Sequence, residues 1–129
     1  MNGKTTKTTD EHFKLFTDYC KEFIQLFGLY DWYIGFNHTE QNEGNRAECG
    51  FSTDDSHNAW INLAQEWHYD EITPARLREV AFHEVCHVLL ADSHNVASSD
   101  DLSREQTCFA TTRAHHAVIY RLMKALLGR

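Results

Sequence analysis

His83-Glu84-Val85-Cys86-His87 sets two imidazoles four residues apart, with a carboxylate directly after the first. At about 100° per residue, His83 and His87 stand roughly 40° apart on one helix face and one turn from each other, so both rings reach one cation. Glu84 falls beside that ion instead of on it. A carboxylate there can take a proton from a water that the ion acidifies, which is the chemistry of zinc hydrolysis. Hydrogen-bonded core histidines are the alternative. Burying two imidazoles beside a carboxylate is costly, however, and a bound cation relieves that cost most directly.

A catalytic zinc usually takes three protein ligands and keeps a fourth position for water. His94 lies seven residues past His87, but the glycine turn that would bring such a histidine back to the metal is replaced by Leu90. Glu105 is the better candidate. Asp100 or Asp101 can cap a segment reaching about Leu127, on which Leu102, Glu105, Phe109, His116, Tyr120, Met123 and Leu127 share one stripe by helical spacing. A carboxylate in a buried stripe needs a cationic partner, and coordination supplies one. A first-turn acid favoured by the helix dipole is the competing account of Glu105. His116 lies about 16 Å further along the helix and is expected in the core or behind the ligands. The donors available to stabilise a tetrahedral oxyanion are His94, His115, His116, Tyr69 and Tyr120.

The combination of His83-Glu84-x-x-His87, a short loop, and Glu105 followed by Phe109-Ala110 resembles the zincin metallopeptidases of the gluzincin type. More narrowly it is similar to the small HExxH domains of bacterial and phage regulatory peptidases, the ImmA/IrrE-like group. The resemblance covers about residues 58 to 112. It implies His83, His87 and Glu105 as ligands of Zn2+, Glu84 as catalytic base, a peptide or protein as substrate, and a minimal zincin-like fold. Cys86 stands where that group often has glycine, and Gln106 and Thr107 stand where small residues are expected. No helix-turn-helix or zinc-ribbon extension accompanies the motif, so no DNA-linked role carries over.

The elements that must position these residues follow from patterning. Thr73 can cap a helix with Pro74 in its first turn, and Leu77, Ala81, Val85, Val88 and Leu89 form its apolar arc, bordered by Val80 and Leu90. Upstream, residues 1–9 read as a flexible tail. Asp10 caps a helix carrying Phe13, Phe16, Cys20, Phe23, Ile24 and Phe27 and ending at Gly28. Trp32/Ile34/Phe36, Ala47/Cys49/Phe51 and Ala59/Ile61/Leu63 alternate with polar or small residues, which predicts three short antiparallel strands. The expectation is therefore an α+β single domain over 10–129. It comprises an N-terminal helix, a three-stranded antiparallel sheet, the HExxH helix and a long C-terminal helix carrying the third ligand. An exposed edge over Trp60 to Leu63 would let an extended substrate add as a strand.

A chain of 129 residues that is 42% hydrophobic supports one core. The net charge of −7, with Lys and Arg scattered, disfavours binding to nucleic-acid phosphates. Four cysteines without a Cys-x-x-Cys pair argue against a zinc ribbon or a disulfide scaffold and are expected to be free thiols. With no signal-peptide core and no apolar run of membrane-spanning length, a cytoplasmic location is expected and membrane association is not. The alternative function is a metal-binding regulatory or interaction module without turnover, and a metal-free helical regulator is a further rival. Against the first, structural zinc sites are usually closed by four ligands rich in cysteine, and Glu84 would have no task; the second predicts no metal after purification in its presence.

Overall fold

The computed structural model describes residues 5–40, 44–53, 56–68, 71–98 and 104–128, with the backbone alone for 5, 96–98 and 104–111. The first helix, α1 (Asp10–Leu26), is capped by Thr9 one residue earlier than the sequence suggests. The Thr9 hydroxyl accepts from His12 N–H at 3.1 Å, and His12 Nδ1 accepts from Thr9 N–H at 3.0 Å. This is a capping box with histidine in the place usually held by Glu or Gln. Phe16, Cys20 and Phe23 bury the inner face of α1. Gly28, at φ +68°, supplies the left-handed residue that stops it.

The helix that carries His83-Glu84-x-x-His87, α2 (Pro74–Leu89), begins as its sequence dictates. Thr73 accepts from Arg76 N–H and Pro74 opens the first turn. Leu77, Ala81, Val85 and Val88 are buried, and Phe82 joins them by meeting Phe23 edge-on at a centroid distance of 5.1 Å. Two charged side chains brace this packing from outside: Arg78 pairs with Glu22 at 3.0 Å, and its guanidinium lies over the Phe23 ring. The helix face that carries His83 and His87 is left half-buried.

The three expected strands form, but their sheet is mixed. β1 (Thr5–Lys7) precedes α1, and β2 (Tyr33–Thr39), β3 (Ala47–Phe51) and β4 (Asn58–Ala64) follow it. The sheet order is β2-β4-β3, with β3 antiparallel and β2 parallel to β4. Antiparallel neighbours throughout are expected if each loop closes a hairpin. β2 and β3 instead flank β4 and stand two strand spacings apart, about 9.6 Å, a distance that the seven residues between them can span. Central β4 then drives Ile61 and Leu63 fully into the core.

Two consequences correct the sequence expectations. The Trp60 to Leu63 segment is hydrogen-bonded on both sides and presents no free edge. The described part of the expected tail is also ordered. β1 pairs antiparallel with β5 (Glu66–His68), Thr8 is buried, and Thr8 Oγ1 donates to Ala64 O at 2.6 Å. Trp67 lies under this ribbon, fully buried, with its indole N–H donated to Arg46 O at 3.1 Å.

Beyond α2 the expected loop begins with a third helix, α3 (Ala91–Ser98), and α4 (Arg104–Leu127) follows. The proposed caps Asp100 and Asp101 lie outside the described residues. On α4 the most buried described side chain is Ile119, whereas Tyr120 is exposed, so the inward stripe is centred slightly off the line drawn from sequence. Leu122, Met123 and Leu127 pack against the core as expected.

Candidate metal centre

Helix α2 offers His83 and His87 one turn apart, and α4 lies across that face and adds a third imidazole from His116. His87 Nε2 is 3.2 Å from His83 Nε2 and 3.2 Å from His116 Nε2. Ligand atoms of all three lie within 4.8 Å of one another, and they form the one such group found among the described residues. Three nitrogens about 2.0–2.1 Å from a tetrahedral cation stand about 3.3 Å apart, so the two measured separations fit a zinc-sized ion.

His116 is the residue that sequence reasoning placed behind the site. On the continuous helix α4, Glu105 and His116 are eleven positions apart, about 16 Å along the axis, so one cation takes one or the other. The side chain of Glu105 lies outside the described residues. A plain loop after α2 would set the start of α4 close to His87. With α3 occupying that stretch, α4 reaches α2 further along its own length, at His116. The signal in the sequence was that His116 shares the helical stripe with Tyr120 and Met123.

Burial sets the charge states. His83 and His87 are pushed down to about 4, first by desolvation and then by neighbouring charge, from His116 and Arg46 on His83 and from the surrounding histidines on His87. Both rings are therefore neutral at neutral pH, the form that binds metal. Glu84, 6% exposed, is pushed up to about 8, chiefly by burial and then by Glu48. A cation beside it acts in the opposite sense and favours the carboxylate. Cys86 is raised to about 12 and Cys49 is also raised, in both cases mainly by burial, so these free thiols stay protonated and are poor ligands or nucleophiles.

These shifts predict how the metal-free fold responds to pH. For His83 and His87 the folded pKa lies below the ordinary 6.5, so their contribution is complete above 6.5 and is lost as pH falls towards 4. For Glu84 the folded value lies above the ordinary 4.5, so its contribution is complete at low pH and is lost as pH rises through 8. Two histidines outweigh one carboxylate below 6.5, and Glu84 acts alone above it. Urea midpoints in EDTA should peak near pH 6.5 and fall by pH 8, and zinc should remove the alkaline loss. A metal-free midpoint that climbs between those two pH values contradicts this account of Glu84.

Two pockets flank the histidines. The larger, about 420 Å³, is lined by Arg46, Arg76, Glu79, His83, Glu84 and Tyr120 among others. The smaller, about 200 Å³, is bounded by Cys49, Phe51, His87, His94, Thr112 and His115. Strand β3 thus runs past both sides of the centre. Arg46 O accepts from Ala64 N–H and Ser52 N–H donates to Asn58 O, which fixes the even-numbered residues of β3 as those bonded to β4. The N–H and C=O groups of Ala47, Cys49 and Phe51 point the other way, and among the described residues β3 pairs with β4 alone.

Of the candidate oxyanion donors, Tyr120 sits on the His83 side with ring centroids 6.0 Å apart. His94 and His115 face each other at 6.2 Å on the His87 side. His94 packs edge-on against Phe51 and does not join the ligand cluster. Tyr69 lies outside the described residues. His57 bridges Asp31 at 3.0 Å and Asp92 at 3.1 Å and so pins α3 to the sheet loops. Comparison with protein-family profiles, curated proteins and solved structures finds no match. Among the described residues no helix is long and apolar enough to cross a membrane.

Proposed function

We propose that this chain is a zinc-dependent metallopeptidase of zincin type, with His83, His87 and His116 as the metal ligands and Glu84 as the general base. The observation that carries the reading is the convergence of three imidazole nitrogens from two helices, with the buried Glu84 sharing a pocket wall with His83. Zinc held there would supply a Lewis acid that polarises a peptide carbonyl and acidifies a water. Glu84 takes that water's proton and passes it to the leaving amine, acting first as base and then as acid. Tyr120, on the open side beside His83, is the best-placed hydroxyl to donate to the developing oxyanion. The free thiols fit a cytoplasmic setting.

Strand addition moves from β4 to β3, whose outward edge passes both pockets. Cys49→Pro deletes one outward N–H and no ladder bond, so peptide cleavage should fall severalfold while Tm drops by only a few degrees. Ile61→Pro, in the buried central strand, should unfold the domain. Cleavage that survives Cys49→Pro unchanged removes β3 as the docking edge.

The test of function is elemental analysis of the purified protein, paired with mass spectrometry of a peptide pool before and after incubation. One zinc per chain together with new termini supports the peptidase. One zinc with no cleavage favours the metal-binding module without turnover.

A further inference from the structure

We propose that the larger pocket receives an acidic side chain of the substrate, next to the bond that is cut; the proposal rests on the peptidase reading and names its substrate class. The pocket shares His83 and Glu84 with the centre, so a peptide whose carbonyl reaches the histidines sets a neighbouring side chain into it. Its walls come from three elements: Arg46 and Ala47 at the start of β3, Arg76 and Glu79 on the first turns of α2, and Tyr120 on α4.

The charges there are unlike those of the molecule. The chain as a whole carries −7. Within the pocket two guanidiniums stand against two carboxylates, and the cation proposed at the histidines would make the balance positive. Arg76 Nη1 holds Glu79 Oε2 at 3.1 Å, with Glu79 nearly buried and Arg76 more open. A guanidinium carries five donors in a planar fork, so it can take a carboxylate while keeping that bond. Arg46 is anchored by its own backbone, since its carbonyl accepts from Trp67 Nε1 and Ala64 N–H. Its side chain stands at the rim near His83, and its positive charge helps to keep that imidazole neutral. The acidic surface repels acidic peptides at long range, and the pocket selects them at contact.

The test compares wild-type protein and Arg46→Glu, each supplemented with zinc and incubated with a proteome-derived peptide pool whose cut sites are mapped. Because Arg46 holds the ribbon through its main chain, Arg46→Glu should keep the fold and one zinc per chain. Wild type is expected to enrich Asp and Glu severalfold beside the cut bond, and Arg46→Glu to exchange that preference for Lys and Arg. Cleavage without acidic enrichment, or enrichment that Arg46→Glu leaves intact, overturns the proposal. No cleavage at full zinc occupancy counts against the peptidase reading, and the pocket is then judged by retention of the same pool on immobilised, zinc-loaded Glu84→Gln. Acidic peptides should be held there and released when Arg46→Glu is added. Equal retention by the two proteins overturns the pocket assignment.

Discussion

Glu84→Gln is expected to retain one zinc per chain and to lose peptide hydrolysis by roughly a hundred- to ten-thousand-fold, the usual contribution of a positioned general base. The amide keeps the size of the side chain and its place on α2, so the histidine geometry stands. What disappears is a group able to accept a proton. The buried carboxyl is already held towards its protonated form, at about 8, so neutral glutamine resembles its metal-free state more closely than it resembles an ionised glutamate. The metal-free variant should therefore be no less stable than wild type at pH 8, and more stable if burial of the charge dominates. Zinc content is read by elemental analysis and turnover by cleavage of a quenched peptide drawn from the pool. Turnover within tenfold of wild type excludes Glu84 as the base.

Local patterns in the sequence were legible where local chemistry decides the outcome. Thr73-Pro74 marks the start of α2 because a cap and a first-turn proline act on adjacent residues. The alternations around Ile34, Cys49 and Ile61 mark strands because side chains on a strand alternate between faces. Strand order is a different kind of property. Nothing within Ala59-Ile61-Leu63 states that β4 lies between β2 and β3, and the loop lengths allow a hairpin or a crossover equally well. Ile61 and Leu63 are fully buried, as suits a central strand, while Trp60 beside them is exposed. Gly50 explains Trp60: a Cβ there would sit 2.2 Å from the indole, so the ring lies over a glycine on the neighbouring strand. The third member of the histidine cluster was hidden for a similar reason. Helical periodicity places Glu105 and His116 on one stripe, but which of them meets α2 depends on where the helices cross, and α3 shifts that crossing.

His116→Ala should abolish tight zinc binding, whereas Glu105→Ala should leave it intact. Removing a direct ligand ought to cost more than the roughly 10–100-fold in affinity that follows loss of a group behind the ligands. The two substitutions separate the reading based on resemblance from the one based on geometry, because one continuous helix cannot bring both side chains to one ion. Zinc bound only to the folded state adds to stability by mass action, so at a hundredfold excess over Kd it contributes about 2.7 kcal/mol. Wild type and Glu105→Ala should therefore gain several degrees in Tm on adding zinc, and His116→Ala should gain little. The control is His83→Ala, which removes a ligand common to both readings and should lose the zinc response in either case. Loss of zinc from Glu105→Ala with full retention by His116→Ala would return the third position to the glutamate and leave the His116 imidazole as a neighbour of the site.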